Sequence, residues 1–141
     1  METRVTGPTY GDRQASVNSR HTYQMATTVQ ATAIVLPNFP TIQASTTNPV
    51  ILTAQVCVST VDGGTTPTIS FGVTSTATEL INAASLATAA TGGTFLPASN
   101  AVGKYRITAD TQIYYKTAAG NDGAGVVTLI LDIAEVNTKT S

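Results

Sequence analysis

The sequence predicts an all-β protein: an antiparallel, jelly-roll-like β-sandwich with a short helix or helical loop and an extended N-terminal arm. Short stretches in which apolar residues alternate with Thr, Ser or Gln indicate strands with one buried face. Clusters of Gly, Pro, Asn and Asp separate these stretches, so roughly seven to nine strands are expected, as in sandwiches and barrels. A chain of 141 residues is long enough for one such domain with a core.

Residues 1–23 differ from the rest of the chain and are predicted to form the arm, with the sandwich over residues 24–141. The arm holds five of the chain's fifteen charged residues, and Gly7-Pro8 and Gly11 interrupt any regular pattern. We expect it to lie on a neighbouring subunit or partner; the alternative is a disordered terminus.

The first half of the sandwich contains the clearest strand pattern. Thr27–Leu36 is predicted to be a strand that ends at Pro37, since proline cannot donate to a sheet ladder. Val50–Thr60 alternates regularly, with Leu52, Ala54, Val56 and Val58 on one face. The Asp62-Gly63-Gly64 turn and the apolar alternation of Thr68–Thr74 then predict a hairpin over residues 50–74.

Residues 75–91 depart from the strand pattern. Thr76 and Glu79 have the spacing of a capping box, and Leu80, Ile81, Ala84 and Ala87 follow at helical spacing. This predicts the short helix or helical loop, which Gly92-Gly93 would end. Extended segments are predicted to follow at Thr94–Leu96 and Lys104–Thr108.

Residues 106–136 are predicted to form one long β-hairpin. Its arms are Thr111–Thr117 and Val126–Val136, and a glycine-rich segment over residues 120–125 supplies the reversal. The inward side chains of the second arm are Val127, Leu129, Leu131 and Ile133. Ile130 lies on the outward strip beside Thr128 and Asp132, so it should be covered either by another sheet layer or, as we predict, by another copy of the chain.

The residues that catalysis requires are scarce, so no enzyme activity, cofactor or metal is expected. His21 is the only histidine and lies in the arm, and the single Cys57 lies in the middle of a predicted strand. Asp62 and Asp122 occupy turns, where a carboxylate ordinarily binds local backbone. A calcium site from Asp110, Asn121 and Asp122 is the least implausible metal site, but the spacing of a calcium loop is absent.

Charge and hydropathy limit the partners. Only 11% of residues are charged, against about 25% in typical domains, and neutral surfaces favour packing against other subunits. The formal net charge is −1 and the seven Lys and Arg residues are scattered, which argues against nucleic acid. No apolar run has the length of a membrane span, and the N-terminus lacks the apolar core of a secretory signal, so synthesis in a cytoplasm is expected.

The C-terminal half resembles small virion proteins of tailed bacteriophages, of the head decoration (auxiliary or cement) type. The shared pattern is hydrophobic-Thr-Ala-Asp-Thr-x-Ile-Tyr, followed by a glycine-rich break and a second apolar strand. The stretches that carry it are Tyr105–Tyr114, Gly125–Leu129 and Ile69–Val73, with Leu80 and Leu86 between them. The resemblance spans roughly residues 67–134 and does not include the arm.

This resemblance implies a structural protein on the surface of a phage capsid, bound to the major capsid protein. In such proteins, subunits are often trimers with β-sandwich contacts and N-terminal arms that reach neighbours. Residues expected to contact partners here are Arg4, Tyr10, Arg13, Arg20, Tyr23 and Ile130. The alternatives are a tail, baseplate or fibre component, or a host-surface module in which Tyr114 or Tyr115 stacks on a glycan.

Overall fold

A computed structural model describes residues 17–87, 94–97 and 104–136 of the chain. These ranges contain strands and no helix. The strands are β1 (Val17–Ala26), β2 (Ile34–Val35), β3 (Val50–Thr60), β4 (Thr68–Gly72), β5 (Ile81–Ser85), β6 (Thr94–Pro97), β7 (Lys104–Ile107), β8 (Tyr114–Thr117) and β9 (Val126–Glu135).

The strands form two antiparallel sheets, which confirms the predicted β-sandwich. The larger sheet has the order β1-β9-β3-β6, with β7 also paired to β3, and the smaller sheet has the order β2-β8-β4-β5. The steps β1 to β2, β3 to β4, β5 to β6 and β8 to β9 each cross from one sheet to the other. The chain thus passes repeatedly between the two sheets and encloses the core between them.

Strands β3 and β9 form the centre of the larger sheet. They pair from Val50 opposite Glu135 to Thr60 opposite Val126, with one register shift near the end of β3. The predicted alternation is confirmed, because the inward residues of β3 and the central inward residues of β9 are buried while their neighbours are half-buried or exposed. These inward residues are Val50, Leu52, Ala54, Val56, Val58, Val127, Leu129 and Leu131.

The smaller sheet closes the core from the opposite side. Ile69 and Phe71 of β4 are completely buried, and Leu36, Leu80, Leu86 and Ile113 reach the core from the connecting segments. Each fully buried side chain of this size contributes about 1.5–3 kcal/mol by leaving water. The core is therefore built from both sheets and from the loops that join them.

The predicted hairpin over residues 106–136 is wrong. Strand β8 pairs with β2 and β4 in the smaller sheet, whereas β9 pairs with β1 and β3 in the larger one. The glycine-rich segment between β8 and β9 therefore bridges two sheets. The predicted hairpin over residues 50–74 is wrong for the same reason, since β3 and β4 lie in different sheets.

The predicted helix over residues 75–91 is wrong over the part that the structure describes. Residues 81–85 form β5, which pairs with β4. The Glu79 carboxylate accepts bonds from the backbone N–H groups of Val73 and Thr74 and from the Thr74 and Thr76 hydroxyls, and so holds a loop. Ala77 in this loop has a φ of 53°, which is outside the helical range. Residues 88–91 lie outside the described ranges.

The strand predicted over Thr27–Leu36 is reduced to the two residues of β2, and Val29 is 47% exposed. The preceding segment instead runs beside β8, where the Gln30 N–H donates to the Thr117 hydroxyl at 2.6 Å and the Gln30 carbonyl accepts from the Thr117 N–H. Residues 17–23, assigned to the predicted arm, lie in β1 and pair with β9. Residues 1–16 of the arm lie outside the described ranges.

Candidate interaction surface

Three of the six residues predicted to contact partners lie in the described part of the chain. Arg20 and Tyr23 are in β1, and Ile130 is in β9, so all three belong to the larger sheet. Arg4, Tyr10 and Arg13 lie outside the described ranges, and their predicted contacts stay predictions. The structure brings Arg20 and Ile130 to the outer face of this sheet and turns Tyr23 inward.

Arg20 forms a two-bond ion pair with the neighbouring strand. Its Nε donates to Oδ1 of Asp132 at 2.7 Å and its Nη2 donates to Oδ2 at 3.0 Å, directly across the β1/β9 pair. These hydrogen bonds hold the pKa of Asp132 below its usual value, with the charge attraction of Arg20 adding to the effect. Both side chains remain exposed, at 64% and 41%, so the pair fixes the guanidinium on the surface and contributes little stability.

Tyr23 faces the interior and anchors a loop. Its hydroxyl donates to the Pro37 carbonyl at 2.8 Å, and its ring meets Phe39 edge to face with centroids 5.8 Å apart. His21 makes a similar contact with Phe39 at 5.7 Å. The inner side of β1 is thus covered by the loop that follows β2, and Tyr23 serves the fold at this position.

Ile130 lies at the centre of the outer face, between Thr22 of β1 and Gln55 of β3. The predicted outward direction is confirmed by this register, and the side chain is half-buried among its neighbours. Apart from Asp132, which pairs with Arg20, the other outward residues of β3 and β9 near Ile130 carry no charge. They are Ile51, Thr53, Cys57, Thr128 and Ala134.

The charged groups on this face include one on the interior strand, because Asp132 lies on β9 two residues from Ile130. The Arg20–Asp132 pair lies where β1 joins β9, and Lys104 and Arg106 lie on β7, opposite Thr53 and Ile51. The larger sheet therefore presents a mostly uncharged, partly apolar face that is crossed by one ion pair and carries two cations on β7. A face of this composition suits contact with another protein better than contact with a polyanion.

A buried polar cluster at one end of the sandwich joins three connecting segments. Oδ1 of Asp62 accepts from the N–H groups of Gly64 and Asp122, each at 2.8 Å, and Oδ2 accepts from the Thr27 hydroxyl at 2.5 Å and the Gly123 N–H at 3.1 Å. Burial alone would raise the pKa of Asp62, but these hydrogen bonds outweigh it and lower the pKa to about 2. The carboxylate is thus a fixed, charged support for the backbone.

The side chains of the calcium site considered from the sequence are not brought together as ligands. Asp110 accepts from the Ala44 N–H at 3.0 Å, whereas Asp122 accepts from Gly63 and Ala124 in the cluster around Asp62. The buried Asn121 amide donates to the Thr27 carbonyl at 3.0 Å. Within the described ranges, no group of three His, Cys, Asp or Glu side chains is placed to hold a metal ion.

The two adjacent tyrosines of β8 have different surroundings. Tyr115 packs against the core with its ring 6.5 Å from that of Phe71, and burial raises the pKa of its hydroxyl. Tyr114 pairs with Val35 and Gly72 and is half-buried. The two rings therefore do not form one stacking platform.

Among the described residues there is also no helix able to cross a membrane.

Comparisons with protein-family models and with curated proteins found no match. Among solved structures, the fold is similar to a chain of the cyanophage Pam1 capsid asymmetric unit, with a TM-score of 0.55 and 18% identity over 95% of this chain and 94% of that one. A weaker likeness, with a TM-score of 0.44 and 12% identity, is to a Bacillus endospore appendage protein of disulfide-linked pili; it covers 96% of this chain and 100% of that one. The first comparison shows a shared fold.

Proposed function

We propose that the protein is a non-enzymatic structural component of a bacteriophage particle, a capsid decoration protein that binds and stabilises the head shell. The observation that carries this proposal is the shared fold with a chain of a phage capsid, matched over nearly the full length of both chains. Because 94% of that chain is covered, the likeness is to a whole small subunit. The sequence resemblance of residues 67–134 to decoration proteins supports the same class.

The larger sheet supplies the surface for such a role. Its outer face carries Ile130 among mostly uncharged side chains, together with the Arg20–Asp132 ion pair and the two cations of β7. One such face binds weakly, but many copies on one shell, each with a second contact, bind with high avidity. A decoration protein therefore needs no deep pocket or catalytic group.

The N-terminal arm is the proposed second contact. Strand β1 is part of the larger sheet, so the proposed arm is narrowed to residues 1–16, which contain Arg4, Tyr10 and Arg13. We propose that this segment lies on the major capsid protein or on a sister subunit. The resemblance implies that the oligomer is a trimer.

A truncation that begins at Val17 tests the arm. Purified head shells that lack this protein would be titrated with the full chain and with the truncated chain, and the bound fraction measured by sedimentation. We expect saturable binding of the full chain and at least a tenfold loss of affinity on truncation, about 1.4 kcal/mol or more. Circular dichroism would establish that the sandwich is intact.

Two results would contradict the proposal at different levels. Unchanged affinity of the truncated chain would remove the arm from the mechanism and leave the sheet as the contact. Failure of the full chain to bind shells, together with its detection by antibody on tails of the same particles, would remove the decoration function itself.

A further inference from the structure

Strand β1 is a long, open edge of the larger sheet. All ten of its residues pair with β9 in one continuous register, from Val17 opposite Glu135 to Ala26 opposite Val126. On its other side, no strand of the described ranges pairs with it. An edge of this kind presents a row of unpaired backbone N–H and C=O groups, and the natural ligand of such a row is another extended strand.

The other described edges carry features that discourage strand addition. Strand β2 has only two residues, and β6 and β7, which both pair with β3, have four residues each; β6 also ends at Pro97. Strand β5 is interrupted by a register shift against β4 and by a φ of 53° at Ala83. Short length, proline and irregularity are the usual means by which proteins block edge-to-edge pairing.

None of these features protects β1. It contains no proline and no register shift, and no charged residue points toward the interior. Its one cation, Arg20, lies on the outer face and is already paired with Asp132. An edge strand of ten residues that lacks these protective features is expected where the strand pairs with another strand in the assembled protein.

The strand is also held in place before any partner arrives. Its inner side chains Tyr23 and His21 pack against Phe39, and the Tyr23 hydroxyl is fixed to the Pro37 carbonyl. Little conformational freedom would be lost when a second strand adds to this edge, and this lowers the cost of association.

We infer that β1 pairs antiparallel with β1 of a second copy about a two-fold axis, so that the two larger sheets become one continuous sheet. A two-fold contact uses the same strand on both sides, so its sequence must be compatible with itself. The inference does not depend on the proposed capsid function, and it predicts a dimer where the resemblance implies a trimer.

The side chains of β1 select the register. In the joined sheet, the inner faces of the two copies must lie on the same side. Directly opposed residues point to the same face, so the two-fold axis must pass through a pair of identical residues and not between two residues. An axis at Arg20 would oppose two guanidinium groups, and an axis at His21 would oppose two imidazoles. An axis at Thr22 instead places Thr22 opposite Thr22, Arg20 opposite Gln24, and His21 opposite Tyr23, all of which are compatible cross-strand pairs.

Thr22→Lys tests the edge. Thr22 is exposed and lies at the inferred axis, so the substitution would place two ammonium groups opposite each other. Analytical ultracentrifugation of the full chain should show a wild-type dimer and at least a tenfold weaker association for Thr22→Lys. Thr128→Lys is the matched control, because Thr128 lies on the same outer face but on the interior strand β9. It should leave the dimer intact. This result would show that the loss of association in Thr22→Lys arises at the edge strand and not from a charge on the outer face.

Engineered cysteines test the register independently of charge. In a Cys57→Ser background, Thr22→Cys should form an intermolecular disulfide with oxidised glutathione, since directly opposed residues have Cα atoms about 4.5–5.5 Å apart, within disulfide reach. Gln24→Cys should not, because the two copies of residue 24 would be about 14 Å apart along the strands. Non-reducing electrophoresis reads out both variants.

Several outcomes would overturn the inference. They are a wild-type protein that is monomeric at its highest soluble concentration, a trimer that Thr22→Lys leaves unchanged, or equal cross-linking of Thr22→Cys and Gln24→Cys. Thermal unfolding of every variant would verify folding. Binding to head shells is measured separately, so loss of the dimer with retained shell binding would reject this inference and keep the proposed function.

Discussion

At the scale of single residues, Asp62 is the buried carboxylate that joins the connecting segments at one end of the described sandwich. Its carboxylate binds Thr27, Gly64, Asp122 and Gly123, so one buried side chain joins segments that enter β2, leave β3 and enter β9. Both oxygens accept two bonds each, and a buried carboxylate satisfied in this way remains charged. Its removal would leave several backbone donors without partners.

We therefore expect Asp62→Ala to lower the free energy of unfolding by roughly 3 kcal/mol, since each buried donor left unsatisfied costs about 1–3 kcal/mol. Urea unfolding followed by circular dichroism measures the change. Asp110→Ala is the matched control, because that exposed carboxylate accepts from the Ala44 N–H near the surface, and it should cost less than about 1 kcal/mol. Equal losses in the two variants would contradict the role assigned to the buried cluster.

The lowered pKa values of Asp62 and Glu79 predict how the free energy of unfolding depends on pH. The pKa values of Asp62 and Glu79 are lowered to about 2 from ordinary values of 3.8 and 4.5, because hydrogen bonds to each carboxylate outweigh the effect of its burial. A lowered pKa means that the unfolded chain takes up protons first. The stabilisation is therefore complete above about pH 5 and is lost as the pH falls toward about 2.

Urea midpoints measured between pH 7 and pH 2.5 would test this dependence. Asp62→Asn is the informative variant, since it keeps the shape of the side chain but cannot ionise. It should be less stable than the wild type at pH 7, and the difference should shrink as the pH approaches 2. A difference that is constant with pH would show that Asp62 does not titrate in this range.

At the scale of elements, β9 determines how the larger sheet is built. It lies between β1 and β3, and its side chains alternate between the core and the outer face. Leu129 is completely buried, while the next residue, Ile130, is half-buried on the outside. Neighbouring residues of the same strand thus have different roles, and substitutions can separate them.

Leu129→Ala should cost about 2–5 kcal/mol of unfolding free energy, because it removes buried methyl groups and leaves a cavity. Ile130→Ala should cost about 1 kcal/mol or less in the isolated chain, since the outer face can adjust. Chemical denaturation of both variants measures the contrast. If Ile130→Ala were as costly as Leu129→Ala, another part of this chain would have to cover the outer face.

The loop before β5 illustrates how one local pattern fits two structures. The Thr76/Glu79 spacing is that of a capping box, in which a glutamate reaches back to preceding backbone N–H groups. Glu79 does reach back, to Val73 and Thr74, but it closes a loop at the end of β4. The pairing of β5 with β4 decided the outcome, because it requires residues 81–85 to be extended where the sequence pattern predicted a helix.

At the scale of the whole molecule, the topology places most strands that are adjacent in sequence in opposite sheets; the exceptions are β4 with β5 and β6 with β7. This leaves β1 at an edge and the outer face of the larger sheet open to partners. We propose the edge as the contact to a second copy and the outer face as the contact to a head shell. Multiple contacts of this kind are what a protein bound in many copies to a particle would use.

The sequence by itself determined the all-β class, the limits of β3, and the inward residues of β3 and β9. These follow from alternation, because the side-chain period of a strand and the burial of one face are local properties. The sequence also identified Asp62 and Asp122 as turn residues, and both do accept local backbone bonds, from Gly64 and Ala124.

Only the tertiary structure decided which strands pair. Alternation in β9 shows that this strand has a buried face, but the partner of each strand is chosen by long-range packing across the core. The Thr27–Asp62 hydrogen bond likewise joins residues 35 positions apart, and no local sequence pattern predicts it. The segment over residues 106–136 therefore has the composition of a hairpin, yet its two arms lie in opposite sheets of the sandwich.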